Sequence, residues 1–241
     1  MPGEGGRELA EAAWPDVQAD PLVLVPVGST EQHGPHLPLS TDTVIAEAVA
    51  ERAAGALRAV VAPAIPYGAS GEHAGFPGTI SIGHEALHAV IVETVRSLAL
   101  WAGRIVFVNG HGGNVATLDA AVPRLRAEGH DTAWTGCDAP GGDAHAGLTE
   151  TSVMLHLAPH LVRPFDTVTG DTRPLAALLP ELIARGVRAV SPSGVLGDPA
   201  GASAERGREI LDAMAASATA RIGGGKVDAS GRLVPSAEPR P

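Results

Sequence analysis

The chain has 241 residues, 44% of them apolar, which is enough material for one medium domain with a full hydrophobic core. Seventeen basic against 27 acidic side chains leave a net charge of −10, which disfavours phosphate backbones and anionic lipid surfaces, so neither nucleic acid nor a membrane is expected as a partner. The single cysteine, Cys137, excludes an intramolecular disulfide framework, and residues 1–20 lack the apolar core of a signal peptide. No apolar run approaches the roughly 20 residues of a spanning helix, so a cytoplasmic protein is expected.

In chain order, short runs of Val, Ile, Leu and Ala alternate with segments of helical period. Leu22–Val27 and residues 59–65 read as strands on either side of a helix that starts near Asp42 and carries Val44, Ile45, Ala48, Val49 and Ala53 on one side. That is a βαβ unit. A helix over about 85–102, with Leu87, Val90, Ile91, Val95 and Leu98, leads into a strand at 104–108; Asn114 is placed to cap the next helix, which runs through Leu125. A strand at 132–135 follows, and the last long helix, about 203–222, carries Ile210, Leu211 and Met214. Strands alternating with helices imply an α/β fold with a mostly parallel sheet covered on both faces. Beyond the glycines at 223–225 the composition turns polar and proline-rich, so residues 1–222 are expected to form the domain and 223–241 a disordered tail.

Two of the strands run straight into unusual loops. Leu22–Val27 is followed by Gly28-Ser29-Thr30-Glu31-Gln32-His33-Gly34 and then Asp42, and the 104–108 strand by Asn109-Gly110-His111-Gly112-Gly113-Asn114. Loops leaving the carboxyl ends of parallel strands converge on one edge, which could gather Glu31, His33, Asp42 and His111 in one crevice. Two imidazoles and two carboxylates suit divalent metal, with Zn²⁺, Mn²⁺ and Fe²⁺ served alike. Glu31 and His33, two apart in an extended segment, face the same side. An aspartate opening a helix is ordinarily an N-cap, but Asp42 has two oxygens that can bridge two cations, and Ser40 or Thr41 could cap in its stead.

A third segment, Asp143-Ala144-His145-Ala146-Gly147-Leu148-Thr149-Glu150, places His145 before a helix, where it suits a proton shuttle, and Glu150 in the first turn, where a glutamate also compensates the helix dipole. His73 and Phe76, in the glycine-rich loop 71–79, are candidates for the substrate wall, although a plain surface loop has the same composition. His84-Glu85-Ala86-Leu87-His88 matches H-E-x-x-H, but Ile91 and Thr94 stand where a metzincin needs Gly and His, and no third ligand follows. NGHGGN lacks both the P-loop lysine and the G-x-G-x-x-G pattern of a phosphate cradle.

Taken together, GSTEQHGPHLPLSTD, EHAGFPGTIS, NGHGGN, DAHAGLTETS and GVLGDPAGASAERG resemble, in order, the motif series of the creatininase (creatinine amidohydrolase) family over residues 22–222. Within it the chain is most similar to the creatininase-like peptidases of the mycofactocin system, which cut a C-terminal dipeptide from a modified precursor peptide. The resemblance implies a single-domain, three-layer αβα fold with two divalent metal ions per chain. Glu31 and His111 would hold one metal, His33 the other, and Asp42 would bridge them; His145 would transfer a proton. Creatininase carries a glutamate ligand two residues after its counterpart of His111, where this chain has Gly113. That departure speaks against creatinine as substrate and makes Glu150 the nearest motif carboxylate for the vacant place. Homohexamers or similar rings are also implied, with the FPGTIS loop shaping neighbouring sites. Two other readings stand beside the peptidase: a small-molecule amidohydrolase of the creatininase or pyrimidine formamide deformylase type, and a metal-free binding protein on the same scaffold.

Overall fold

Alternate residues of each central strand feed opposite cores, and this makes the architecture layered. The computed structural model describes residues 7–139 and 141–235. Five strands, β1 (Arg7–Glu8), β2 (Leu22–Val27), β3 (Val60–Val61), β4 (Arg104–Asn109) and β5 (Thr132–Gly136), form one parallel sheet in the order β1-β3-β2-β4-β5. Val23, Val25 and Val27 of β2 with Ile105 and Phe107 of β4 point to one face, and Leu24, Val106 and Val108 to the other, the period-two pattern of a pleated strand. Helices α2 (Gly83–Leu98) and α3 (Val115–Ala127) cover the first face through Leu87, Ile91, Val95, Leu118, Val122 and Leu125. The second face is covered by α1 (Thr41–Leu57), α4 (Leu148–Leu157) and α7 (Ala204–Gly224) through Ile45, Val49, Val153, Met154, Leu211 and Met214. This is the expected three-layer αβα arrangement.

The differences from the sequence reading have local causes. The 59–65 strand pairs only at Val60–Val61, since Pro63 has no N–H for the ladder; Ile65 returns as a single bridge to Val27. Asn114 does not cap α3. Its dihedrals are helical, and its amide accepts from the Ala69 N–H and donates to the Gly28 carbonyl, tying two loops together. Helices α5 (Leu175–Arg185) and α6 (Val187–Val190) escape the pattern because Pro174 and Pro180 read as breakers, yet α5 starts directly after the first proline and tolerates the second.

The segment expected to begin a disordered tail is packed over much of its length. Val227 bridges to Leu233, Trp134 of β5 donates to the Gly231 carbonyl at 3.1 Å, and Leu233 donates back to the Trp134 carbonyl at 2.8 Å. Leu233 is 1% exposed in the core under α1, α4 and α7, so its burial outweighs the polar composition around it. Residues 236–241 of that expected tail lie outside the described residues.

Candidate functional site

The loops at the carboxyl ends of β2, β3, β4 and β5 meet above the sheet. Glycines allow the approach: a Cβ at Gly28 would collide with Thr43, and one at Gly110 with the carbonyl of Asp42, so both strand ends lie against the first turn of α1. Asp42 therefore sits between them, 2% exposed. It does not cap its helix. Its Oδ1 is 2.9 Å from His33 Nε2, while its Oδ2 is 3.2 Å from His111 Nδ1 and accepts from the Ser29 hydroxyl at 2.7 Å. Each oxygen thus addresses a different histidine.

Glu31 is fully buried, with His111 Nε2 3.2 Å from Oε2 and His73 Nε2 3.3 Å from Oε1. Neither oxygen makes a hydrogen bond within the described protein. His145 stacks 4.2 Å from the His33 ring and 4.6 Å from the His73 ring. Glu150, in the first turn of α4, accepts from the Ala146 N–H at 2.6 Å and brings the same Oε2 to 3.7 Å from His33 Nε2. It serves the helix start and faces the site at once. Asp143 completes that start by accepting from the N–H groups of Leu148 and Thr149 at 2.7 and 2.9 Å.

Burial pushes His33 and His111 down, but Asp42 outweighs it at His33 and Glu31 with Asp42 at His111, raising them to about 10 and about 9. Burial pulls Asp42 up, yet the two histidines hold it well below the ordinary carboxylate range. Glu31 and Glu150 are lifted to about 7 by burial, partly offset by His111 and His33 respectively. His73 falls to about 3 and His145 well below its usual value, through burial and the neighbouring imidazoles, so both are neutral at pH 7.

Three groups place their ligand atoms within 4.8 Å of one another: Glu31, Asp42 and His111; His33, His145 and Glu150; and Glu31, His73 and His145. The two Glu31 oxygens are the clearest sign that the donor set suits a cation, because a buried carboxylate that makes no hydrogen bond is otherwise costly. In the metal-free protein His33 and His111 carry protons at pH 7 that a cation must displace. Loading with divalent ions is therefore expected to release more than one proton per chain, and apparent affinity should rise with pH between 6 and 9. Calorimetry in buffers of different ionisation enthalpy checks this; proton-neutral binding would contradict it.

All six of Glu31, His33, Asp42, His111, His145 and Glu150 come together, and His73 joins them. Phe76 does not: it packs with Leu178, Leu182 and Val187 near α5 and α6, and the Arg188 guanidinium lies 5.6 Å from its ring centre. The cavity beside the cluster, about 270 Å³, is lined instead by Asp42, His111, His145, Glu150, Cys137 and Met214, among others. Burial pushes the Cys137 thiol up, so it is protonated and no nucleophile. His84 is occupied with the Thr117 hydroxyl at 2.8 Å, and H-E-x-x-H contributes to none of the three groups. Gly113 lies against His111 Nε2, whereas Glu150 reaches His33, so Glu150 stands with the second group but does not occupy the space beside Gly113. The carboxylate that reaches it is Glu72, whose Oε1 would be 2.8 Å from a Cβ there. Glu72, Gln32 and Ser29 were not singled out from sequence, although the first two lie within quoted motif strings next to chosen residues.

Buried carboxylates and imidazoles converging at the carboxyl edge of a parallel sheet define the class, a metal-dependent hydrolase. The sequence model of the creatininase family, described as creatinine amidohydrolase, matches residues 10–222. The chain therefore belongs to the creatininase family, whose chemistry is hydrolysis of C–N bonds. The mycofactocin precursor peptide peptidase of Mycolicibacterium smegmatis is 56% identical over 219 residues, covering 88% of this chain and 89% of the relative. Creatinine amidohydrolase of Pseudomonas putida is 32% identical over 242 residues, covering 85% and 91%. A crystal structure of creatinine amidohydrolase superposes with a TM-score of 0.71 at 28% identity, covering 90% of this chain and 97% of that one. Other solved creatininases are described as a Zn-Zn type and as a Mn form.

Proposed function

We propose that this chain is a mycofactocin precursor peptide peptidase, hydrolysing an amide bond near the C-terminus of a modified precursor peptide and releasing a dipeptide. The observation that carries the reading is the 56% identity to the Mycolicibacterium smegmatis peptidase over 88% of the chain, against 32% to a creatinine amidohydrolase. Gly113, in place of a glutamate ligand, supports the same choice.

Two divalent ions per chain, Zn²⁺, Fe²⁺ or Mn²⁺, would supply water activation and polarisation of the scissile carbonyl when bound. Glu31, Asp42 and His111 would hold one, and His33, Asp42 and Glu150 the other. Asp42 suits the shared position because its two oxygens already face the two histidines. His145 Nε2 donates to the Gln32 carbonyl at 2.9 Å, which leaves Nδ1 bare to take a proton at the site and pass it to the leaving nitrogen. The enzyme would act in the cytoplasm as a ring-like homo-oligomer; among the described residues no helix is long and apolar enough to cross a membrane.

The test is mass spectrometry of the maturase-modified peptide incubated with metal-loaded enzyme, run beside creatinine and a pyrimidine formamide. Release of a C-terminal dipeptide with little creatinine turnover is the expected result. Rapid creatinine hydrolysis with the peptide intact would replace the peptidase with the small-molecule reading.

A further inference from the structure

Gln32, 5% exposed, lies among the histidines of the site with its amide orientation fixed by the backbone. Its Oε1 accepts from the Gly34 N–H at 2.8 Å, and its Nε2 donates to the Gly194 carbonyl at 3.0 Å. A backbone N–H can only donate and a carbonyl can only accept, so the amide cannot be turned over. Gly194 belongs to this cradle: its φ is +84°, and a Cβ there would collide with the Gln32 amide.

One amide hydrogen remains, with two ring nitrogens in reach, His73 Nδ1 at 2.9 Å and His145 Nε2 at 3.1 Å. His145 Nε2 also lies 2.9 Å from the backbone carbonyl of Gln32, an acceptor only, so that nitrogen holds a proton and cannot receive another. The remaining hydrogen goes to His73 Nδ1, which is therefore bare. The proton of His73 sits on Nε2.

We propose that Gln32 is a positioning residue that fixes the proton of His73 on Nε2, so that His73 and His145 present opposite functions to one edge of the site. His73 offers an N–H donor 3.3 Å from Glu31 Oε1, and His145 offers a bare Nδ1 3.8 Å from the same oxygen. His73 Nδ1 is then taken up by the Gln32 amide and Nε2 carries the proton, so neither nitrogen offers a free lone pair to a metal although the residue stands in one of the three groups. Its N–H faces the Glu31 carboxylate without a hydrogen bond to it, so both Glu31 oxygens stay available to a cation. The assignment of His145 Nδ1 as the proton carrier rests on the hydrolase reading above; the tautomer of His73 does not.

The experiment is nitrogen-15 NMR of the zinc-loaded full chain with labelled histidine, which distinguishes protonated from bare ring nitrogens. Wild type should show both His73 and His145 protonated at Nε2 and bare at Nδ1. Gln32→Glu puts an acceptor against His73 Nδ1 and should move that proton to Nδ1, with His145 unchanged because a backbone carbonyl sets it. In the peptide assay the same variant should lose on the order of 10²-fold in kcat with KM and zinc content unchanged, the size expected when a supporting partner is lost. Gln32→Met, which removes the donor without adding charge, should leave His73 as a mixture of tautomers and decides the matter if the glutamate variant fails to fold. A wild-type His73 protonated at Nδ1, a His73 nitrogen bound to zinc, or variant spectra identical to wild type would overturn the proposal. Wild-type tautomers as stated in a protein that leaves the peptide intact would retire the peptidase reading and keep Gln32 in its role.

Discussion

Asp42→Ala protein is expected to hold well under two divalent ions per chain and to lose more than about 100-fold in turnover, since even partners one step removed from a metal cost 10–100-fold when deleted. The size follows from geometry. One carboxylate faces His33 with one oxygen and His111 with the other, at 2.9 and 3.2 Å, so its removal disorganises both halves of the site. Stability should report the same loss in the metal-free protein. Burial pushes His33 down but Asp42 lifts it from 6.5 to about 10, so its contribution is complete below pH 6.5 and fades as pH climbs toward 10. The variant should accordingly be destabilised more at pH 6 than at pH 10 in urea titrations, by up to about 3–5 kcal/mol, the range for breaking a buried ion pair. Elemental analysis and turnover supply the decisive figures: two ions and wild-type rate in Asp42→Ala would remove Asp42 from the centre of the site.

His145→Ala should slow peptide cleavage by about 10²–10⁴-fold, the range for a positioned general acid–base, while the protein keeps its metal. The two readings of His145 diverge here. It lies in a possible ligand group with His33 and Glu150, yet its Nε2 is bound to the Gln32 carbonyl and burial with His33 and His73 keeps the ring neutral. The free Nδ1 is the atom that can carry a proton, and a ring held below its usual value gives that proton up readily to the leaving nitrogen. Metal content measured on the variant separates the roles, since loss of an ion together with activity would make His145 a ligand.

The layers of the fold were legible because the continuous apolar runs of β2 and β4 and the helical periods of α1 and α2 are local signals. Leu22–Val27 could be bounded to the residue. What was hidden depends on contacts far along the chain: β1 is two residues long and exists only as a partner of β3, and Leu233 gains its burial from α1, α4 and α7. Glu31, His33, Asp42 and His111 could be picked out because each follows or faces a strand end that a parallel sheet forces to one edge. Glu72 could not. Its approach depends on the space left by Gly113, 41 positions later, and nothing within the loop 71–79 announces it. Phe76 misled for the opposite reason, since an aromatic side chain in a glycine-rich loop looks like a pocket wall until α5 and α6, themselves masked by prolines, are there to receive it.

The backbone of residues 231–233 also closes a flank of the sheet. Trp134 lies on β5, the last strand of the order, and without Gly231 and Leu233 its outward N–H and carbonyl would be open to pairing with another chain. The Arg232 guanidinium, 5.0 Å from the Trp134 ring centre and 2.7 Å from Asp138, sets a charge on that flank as well. Shortening the protein at the glycines that end α7 would thus do more than trim a loose end: it would uncover a sticky strand and invite self-association, so purification tags belong beyond Leu233.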